Sequence, residues 1–452
     1  MPDPHPSSAE ARLETQKLGP LQLRVAFICT LAQMFDGYDI TSIGMAVPSL
    51  AAAWHIPGAA FANTFVMSSV GIMVGALASG PAGDRLGRKP VLIASLVFLT
   101  VSSLACIYAT SISELVIWRF FTGIGIGGIM PATVALTSDY VPERLRAPIV
   151  MVIFTGNPLG GFLGGQLVAQ LLPHFGWTVI FLIGGLLPLA LIPVMLLWLP
   201  ESPRFLLSRG RMTTRTERLL QTLNIEPTAI AQDTGRRTAH EVDVSTGNPV
   251  AGLFRDGMAT TTVFVWILYF ANLLSIYLIG YWLPTVLNLS GLSPADSVFA
   301  ASLMSAGPLL SVFAMAPLSR SFGPQRVLAV MLITGVLVIA VVGLANPPHD
   351  LLLLAIFLMG CCTVGSMTGI NGMTAALYPA RVRTTGMGWA LGIGRLGGIG
   401  GPWLGGVLLV AGWPPRQIFL CACVTAVIST FCVVMLHILA RRRAPQSVPR
   451  MA

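Results

Sequence analysis

Twelve runs of apolar residues follow one another along this chain, at about 23–46, 60–81, 90–110, 114–136, 147–171, 176–199, 259–286, 296–317, 325–345, 350–376, 384–410 and 416–440. A helix rises about 1.5 Å per residue and a bilayer's hydrocarbon layer is about 30 Å thick, so each run is long enough to cross it. The pattern predicts an all-α membrane protein with 12 transmembrane helices. Composition agrees: 54% of the 452 residues are hydrophobic and only 10% charged, with a mean hydropathy of +0.77. A soluble chain would carry about 25% charged residues, so the apolar surplus is expected to face lipid.

The net charge of +9 would suit nucleic acid if it were clustered, but it alternates. Arg85, Arg88 and Lys89 follow the second run, Arg144 and Arg146 the fourth, and a series from Arg204 to Arg255 the sixth. Arg320 and Arg326 follow the eighth, Arg381 and Arg383 the tenth, and Arg441 to Arg443 the twelfth. The opposite loops hold Arg416 alone. Basic residues mark cytoplasmic loops, so both termini are expected in the cytoplasm and nucleic acid is not an expected partner. The first 22 residues mix acidic and basic groups and do not read as a cleavable signal. Cys29, Cys106, Cys361, Cys362, Cys421, Cys423 and Cys432 all fall in apolar runs, in no metal-ligand spacing, and read as helix-packing residues. Arginine outnumbers lysine 25 to 2, which points to a GC-rich bacterium and hence to a bacterial inner membrane.

Punctuation recurs at an offset of 236–237 residues. Asp84-Arg85-Leu86-Gly87 meets Arg320-Ser321-Phe322-Gly323, Pro142 to Arg146 meets Pro379 to Arg383, Gly160-Gly161 meets Gly397-Gly398, and Gly176-Trp177 meets Gly412-Trp413. Six spans repeated in one orientation predict two bundles, 23–199 and 259–440, related by a pseudo-twofold axis along the membrane normal. A cytoplasmic linker over 200–258 joins them, with cytoplasmic tails at 1–22 and 441–452. Such a repeat places a substrate cavity between the halves. The halves also differ: Asp36 and Asp39 map onto Asn272 and Ser275, and Pro158 maps onto Arg395. Acid on one wall and arginine on the other suits a proton and an anion.

Asp36 lies about 18 Å into the first run, near the middle of the membrane, and Asp39 shares its helix face. A carboxylate at that depth costs several kcal/mol to keep and is by default a working group. Two acids so placed are expected to titrate as a coupled pair, as a reversible proton carrier requires. Arg395 is about 16 Å into the eleventh run, too deep to reach water cheaply, and its guanidinium fork matches a carboxylate. Arg119, about 9 Å into the fourth run, reads as an anion attractor, a partner for Asp36 or Asp39, or a snorkelling interface residue. Gly80 to Lys89 is the strongest loop motif: its glycines allow close helix approach, and Asp84, with Arg85 and Arg88, is a candidate gating latch. Asp139 and Arg383 extend that gating set, and Asp139 has Arg144 and Arg146 as candidate partners in a surface bridge. Asn272, Tyr38 and Tyr277 complete the candidate substrate contacts, although an aromatic in a span is more often a packing or interface residue. Two glycine runs, Gly123–Gly128 and Gly392–Gly397, match a dinucleotide pattern without its βαβ context and are better explained by helix packing. No nucleophile–base or metal-ligand constellation is present, so no enzyme is expected.

Gly80 to Lys89, Pro200-Glu201-Ser202-Pro203-Arg204-Phe205 and the repeat resemble the major facilitator superfamily over almost the whole chain. Within it, Asp36-Gly37-Tyr38-Asp39, Tyr378-Pro379…Arg383…Gly386 and Gly392-Ile393-Gly394-Arg395 resemble the aromatic acid:H+ symporter family. That resemblance implies proton-coupled import of a benzoate, hydroxybenzoate or phenylpropionate derivative, with Asp36, Asp39, Asp84, Arg119, Arg383 and Arg395 as functional residues. It implies no cofactor beyond the proton gradient, and a monomer working in lipid. Asp139 stands where members often have Glu. Arg320 and Gln325 depart from the Asp and His of 4-hydroxybenzoate carriers, which leaves the particular acid open. A proton-driven efflux antiporter, faintly suggested by Gly156-Asn157-Pro158-Leu159-Gly160-Gly161, and a non-transporting membrane sensor are the rival readings. The sensor would be expected to carry a larger soluble domain.

Overall fold

With no water in the bilayer core, a spanning backbone must satisfy its own N–H and C=O groups, and an apolar run does so by closing into a helix. The computed structural model of the protein describes residues 18–208, 249–255, 257–345 and 347–443, and the regular elements among them are all helical. The first half contains α1 (Pro20–Trp54), α2 (Ala62–Leu86), α3 (Arg88–Cys106), α4 (Ile112–Tyr140), α5 (Glu143–Phe154), α6 (Gly156–Phe175), α7 (Thr178–Trp198) and α8 (Pro203–Ser208). The second contains α9 (Pro249–Gly252), α10 (Ala259–Leu289), α11 (Pro294–Phe322), α12 (Pro324–Leu344), α13 (His349–Thr363), α14 (Ser366–Leu377), α15 (Ala380–Val410) and α16 (Phe419–Arg443). Eleven helical stretches among the described residues are long and apolar enough to cross a membrane, and the 35-residue α1, carrying Arg24, Asp36 and Asp39, is a twelfth long helix. The protein is a multi-pass membrane protein. The linker residues 209–248 and the tails 1–17 and 444–452 lie outside the described residues.

The repeat shows in the backbone. Gly87 (φ 106°) and Gly323 (φ 85°) make the left-handed turns between α2 and α3 and between α11 and α12, and they stand 236 positions apart. Gly176 (φ 67°) and Gly412 (φ 79°) form a second such pair at the same offset. Side chains with a Cβ are disfavoured at these angles, so each glycine marks an obligatory stop.

Two expected spans are each split. The fifth breaks at Thr155, between α5 and α6, where Pro158 has no N–H to offer the carbonyl four residues back. The tenth breaks at Val364-Gly365, between α13 and α14. There Gly365 N–H reaches back five residues to the Gly360 carbonyl (3.2 Å), and the Cys361 carbonyl it leaves accepts from Ser311 Oγ (2.9 Å).

The described helices form two compact units. One comprises 18–42, Met67–Gly164 and 178–208, around a core that includes Ile28, Leu96, Leu99, Ile126 and Leu136. The other comprises Ile43–Val66, Gly165–Trp177 and the described residues from 249 onward, with a core that includes Leu268, Leu332, Ile370, Tyr378 and Leu436. The C-terminal ends of α1 and α6, with the start of α2, therefore pack with α10, α11 and α15. Phe65 stacks on Tyr281 with ring centroids 4.9 Å apart and meets Trp282 edge-on at 5.0 Å, and Gln166 Nε2 donates to Ser302 Oγ at 2.7 Å.

Candidate functional site

The first compact unit holds an ion pair sealed inside its helices. Arg119 on α4 and Asp39 on α1 are both 0% exposed, with Nη1 to Oδ2 at 3.1 Å. The guanidinium also donates to the Asp39 carbonyl (3.0 Å), Ser42 Oγ (3.3 Å) and Ser68 Oγ (3.4 Å). On the carboxylate's other oxygen, Ser42 and Ser103 donate at 3.3 and 3.4 Å. Of the sequence alternatives for Arg119, snorkelling is excluded by its complete burial, and its donors are directed at Asp39 and serines rather than left open for a substrate. A charge this deep survives only with a counter-charge and hydrogen bonds, and both are present.

Asp36 is also enclosed, at 4% exposure, but turns to a different neighbour: Asn157 Nδ2 on α6 donates to its Oδ2 at 2.9 Å. The two acids share α1 without sharing a partner in these contacts. One turn further toward the start of α1, Gln33 Nε2 donates to Thr133 Oγ1 of α4 at 2.8 Å. α1 and α6 meet backbone to backbone, because a Cβ on Gly37 would land on the Asn157 carbonyl and one on Gly160 on the Met34 carbonyl. The glycine motif at 156–161 is thus explained by packing against α1.

Tyr38 does not line an opening. It is buried, its hydroxyl donates to the Ile180 carbonyl at 2.6 Å, and its ring fills the space beside Gly164 and Gly184. The expectation that it stacks on a substrate is corrected: the ring is a wedge between α6 and α7.

In the second unit, Arg395 of α15 is partly exposed and donates from Nη1 to the Tyr277 hydroxyl of α10 at 3.2 Å. None of the ion pairs among the described residues includes Arg395. Asn272, at 3% exposure, is tucked against α14: Ser366 Oγ donates to its Oδ1 (3.4 Å), and its Nδ2 faces the Met367 sulfur (3.6 Å). A direct substrate contact is closed to it in this conformation. Trp266 and Trp389 stack on each other with centroids 5.8 Å apart, and Trp389 shares an open face of α15 with Thr385, Gly388, Gly392, Ile393 and Leu396. Tyr269, fully buried on α10, donates to Asn371 Oδ1 on α14 at 2.7 Å.

Where α3, α4 and the start of α8 meet in the first unit, the charged residues form one cluster. Arg88 Nε lies 3.0 Å from Asp139 Oδ2, whose side chain is 6% exposed and also accepts from Ser202 Oγ (2.6 Å). Asp139 is therefore an enclosed group joined to Arg88 of α3 and to Ser202, the residue before α8. Glu201 Oε1 accepts from the Arg88, Lys89 and Ser202 amides at 3.1, 3.2 and 2.8 Å, placing a carboxylate on the N-terminus of α3. Asp84 stays outside this cluster, with its side chain 79% exposed and Arg88 4.0 Å away. Arg85 is exposed, and Arg383 Nε caps the Tyr378 carbonyl at 3.3 Å.

Sequence reasoning missed Asn157, Gln33, Thr133, Ser68, Ser103, Glu201 as a helix cap, and Asn371. Glu201 lies in the Pro200–Phe205 motif and the others are ordinary polar residues in apolar runs; only the neighbouring helix shows the role of each.

A family of proteins described as sugar (and other) transporters matches residues 25–441. The chain is 35% identical to a 4-hydroxybenzoate transporter of Pseudomonas aeruginosa, over 94% of this chain and 95% of that protein. It is 36% identical to a gallate transporter of Pseudomonas putida, over 88% of each. In fold it is similar to the xylose transporter of E. coli in its inward open conformation, with a TM-score of 0.69 and 16% identity over 92% of this chain and 96% of that one. The Arg320 and Gln325 departures do not remove hydroxybenzoate carriers from its close relatives. The chain is a membrane transporter of the sugar (and other) transporter family, within the major facilitator superfamily.

Proposed function

We propose that this transporter imports a small aromatic carboxylate together with protons across a bacterial inner membrane, with both termini in the cytoplasm. It works as a monomer and needs no cofactor beyond the proton gradient. The observation that carries the reading is the contrast between two arginines deep in their spans. Arg119 has its carboxylate inside the fold; Arg395 has a neutral tyrosine hydroxyl and no acid among the described residues. A guanidinium at that depth calls for an anion, and a transported carboxylate supplies it, held by the Arg395 fork with Tyr277 beside it. The relatives whose names specify 4-hydroxybenzoate and gallate support an aromatic acid.

Proton coupling follows from the charge of the cargo. Moving one negative charge into a cell against an inside-negative potential costs about 2.3 kcal/mol per 100 mV, and one accompanying proton cancels that cost. Asp39 is the group whose protonation would dissolve a sealed ion pair and free Arg119, and Asp36, held by Asn157, is the second carboxyl on the same helix. The exposed Asp84 is left to engage at another stage of the cycle.

The test uses purified full-length protein in liposomes with an alkaline interior and labelled 4-hydroxybenzoate and benzoate outside. Accumulation above equilibrium that a protonophore collapses, and that Arg395→Ala abolishes, is the expected result. Uptake indifferent to the pH gradient defeats the coupling, and net extrusion of acid from loaded liposomes turns the reading to efflux.

A further inference from the structure

The Oδ1 oxygen of Asp39 is the end of the buried carboxylate that Arg119 does not occupy. The guanidinium takes Oδ2 at 3.1 Å, while Oδ1 faces two hydroxyls, Ser42 Oγ at 3.3 Å and Ser103 Oγ at 3.4 Å. Asp39, Ser42 and Ser103 are all 0% exposed, so the state of Oδ1 is decided by these neighbours.

The two serines differ in commitment. Ser42 has a shorter contact with the Asp39 carbonyl on its own helix, at 2.8 Å, and its oxygen also accepts from Arg119 Nη1 at 3.3 Å. Ser103, on α3, lies 3.4 Å from Oδ1 and 3.4 Å from the Phe181 carbonyl of α7. A hydroxyl has one O–H and two lone pairs, so Ser103 can donate to only one of these acceptors at a time. The equal distances leave that choice to the charge on Asp39. Helix α7 leaves room for it: a Cβ on Gly184 would stand 2.7 Å from Ser103 Oγ and 3.0 Å from Asp39 Oδ1.

We propose that the transported proton binds at Asp39 Oδ1 and that Ser103 is its positioning residue. While Asp39 is ionised, the Ser103 O–H points at Oδ1. When a proton forms an O–H there, that O–H donates to Ser103 Oγ, and the serine's own proton turns to the Phe181 carbonyl. One proton is gained, Arg119 keeps its own, and neither form leaves Oδ1 or the hydroxyl unpartnered. A buried site lacking such a hydroxyl would strand a polar atom in one form or both. The inference rests on the proposed function, because it takes Asp39 as a proton carrier. It adds the oxygen that receives the proton and the residue that answers its arrival. The other titratable groups facing Asp39 among the described residues are Arg119 of α4, Cys106 of α3 and Tyr38 of α1. Across the neutral range a guanidinium ordinarily stays charged, and a thiol and a phenol ordinarily stay uncharged.

The experiment measures initial uptake of labelled 4-hydroxybenzoate by the full-length protein in liposomes as the outer pH is stepped at a fixed interior pH. Ser103→Ala should raise the pH of half-maximal uptake by about one unit, a tenfold lower proton concentration. A hydrogen bond to a carboxylate is stronger than one to a neutral carboxyl, so its loss penalises the ionised form more. Ser103→Thr keeps the hydroxyl and should keep the wild-type midpoint. A midpoint in Ser103→Ala that stays or falls overturns the role of Ser103 and leaves the proposed function standing, as does an equal rise in Ser103→Thr. Wild-type uptake that ignores the outer pH defeats the proposed coupling, and this inference with it. Should Ser103→Ala fail to fold or carry nothing, Ser103→Cys, whose thiol is a weaker donor, replaces it, and the same midpoint decides.

Discussion

Asp39 and Arg119 show how far a residue's meaning depends on what seals it. Both are fully enclosed, and removing one partner of such a pair leaves an uncompensated charge costing about 3–5 kcal/mol. Asp39→Asn is therefore expected to lower the melting temperature of the purified protein sharply. Asp36→Asn, whose new amide can still turn an oxygen toward Asn157, should cost less than about 1 kcal/mol. Pairing Asp39→Asn with Arg119→Gln removes both charges and should recover much of the lost stability without recovering transport. If the double variant melts as low as the worse single variant, the pair is not what stabilises the bundle there.

Glycines decide the close approaches between elements, and a Cβ at each has a different consequence. Gly37 and Gly160 let α1 and α6 touch through their backbones, so alanine at either must push the helices apart. Overpacking of this kind costs about 1–3 kcal/mol or more, and size-exclusion profiles of Gly37→Ala and Gly160→Ala should show loss of the folded peak. Gly388, on the open face of α15, has nothing within 4 Å of where its Cβ would lie, so Gly388→Ala should elute like wild type. The Arg88–Asp139–Ser202 cluster ties α3, α4 and α8 in the same unit. Arg88→Ala would strip an enclosed carboxylate of its cation and should shift melting more than Arg85→Ala, because Arg85 is exposed.

The compact units do not follow the two halves of the chain, since the C-terminal ends of α1 and α6 and the start of α2 pack with α10, α11 and α15. Gln166 and Ser302 meet there at 2.7 Å. If the proposed transport runs by alternating access, the C-terminal end of α6 must leave α11 at some stage. In a cysteine-free background, oxidising a Gln166→Cys/Ser302→Cys pair should stop uptake, and a reducing agent should restore it. Uptake at the wild-type rate with the bond fully formed would mean that these two helix ends stay together throughout the cycle.

Hydropathy, the alternation of arginines and the 236-residue echo of glycine turns determined from sequence alone that the chain crosses the membrane repeatedly as two related sets of helices. These properties are set by transfer of side chains and backbone from water to lipid, and by the φ angles only glycine accepts easily, so they are local and can be read residue by residue. That Asp36, Asp39 and Arg395 fall inside long helices was legible for the same reason. What only the tertiary structure decided is which group faces which. Asp39 takes Arg119 while Asp36 takes Asn157, Tyr38 becomes a packing wedge, Asp139 turns inward to Arg88, and Asn371 is oriented by Tyr269. Partners separated by 80, 121 or 102 positions are joined by how helices pack and rotate, a non-local outcome of many small side-chain fits that no single stretch of sequence carries.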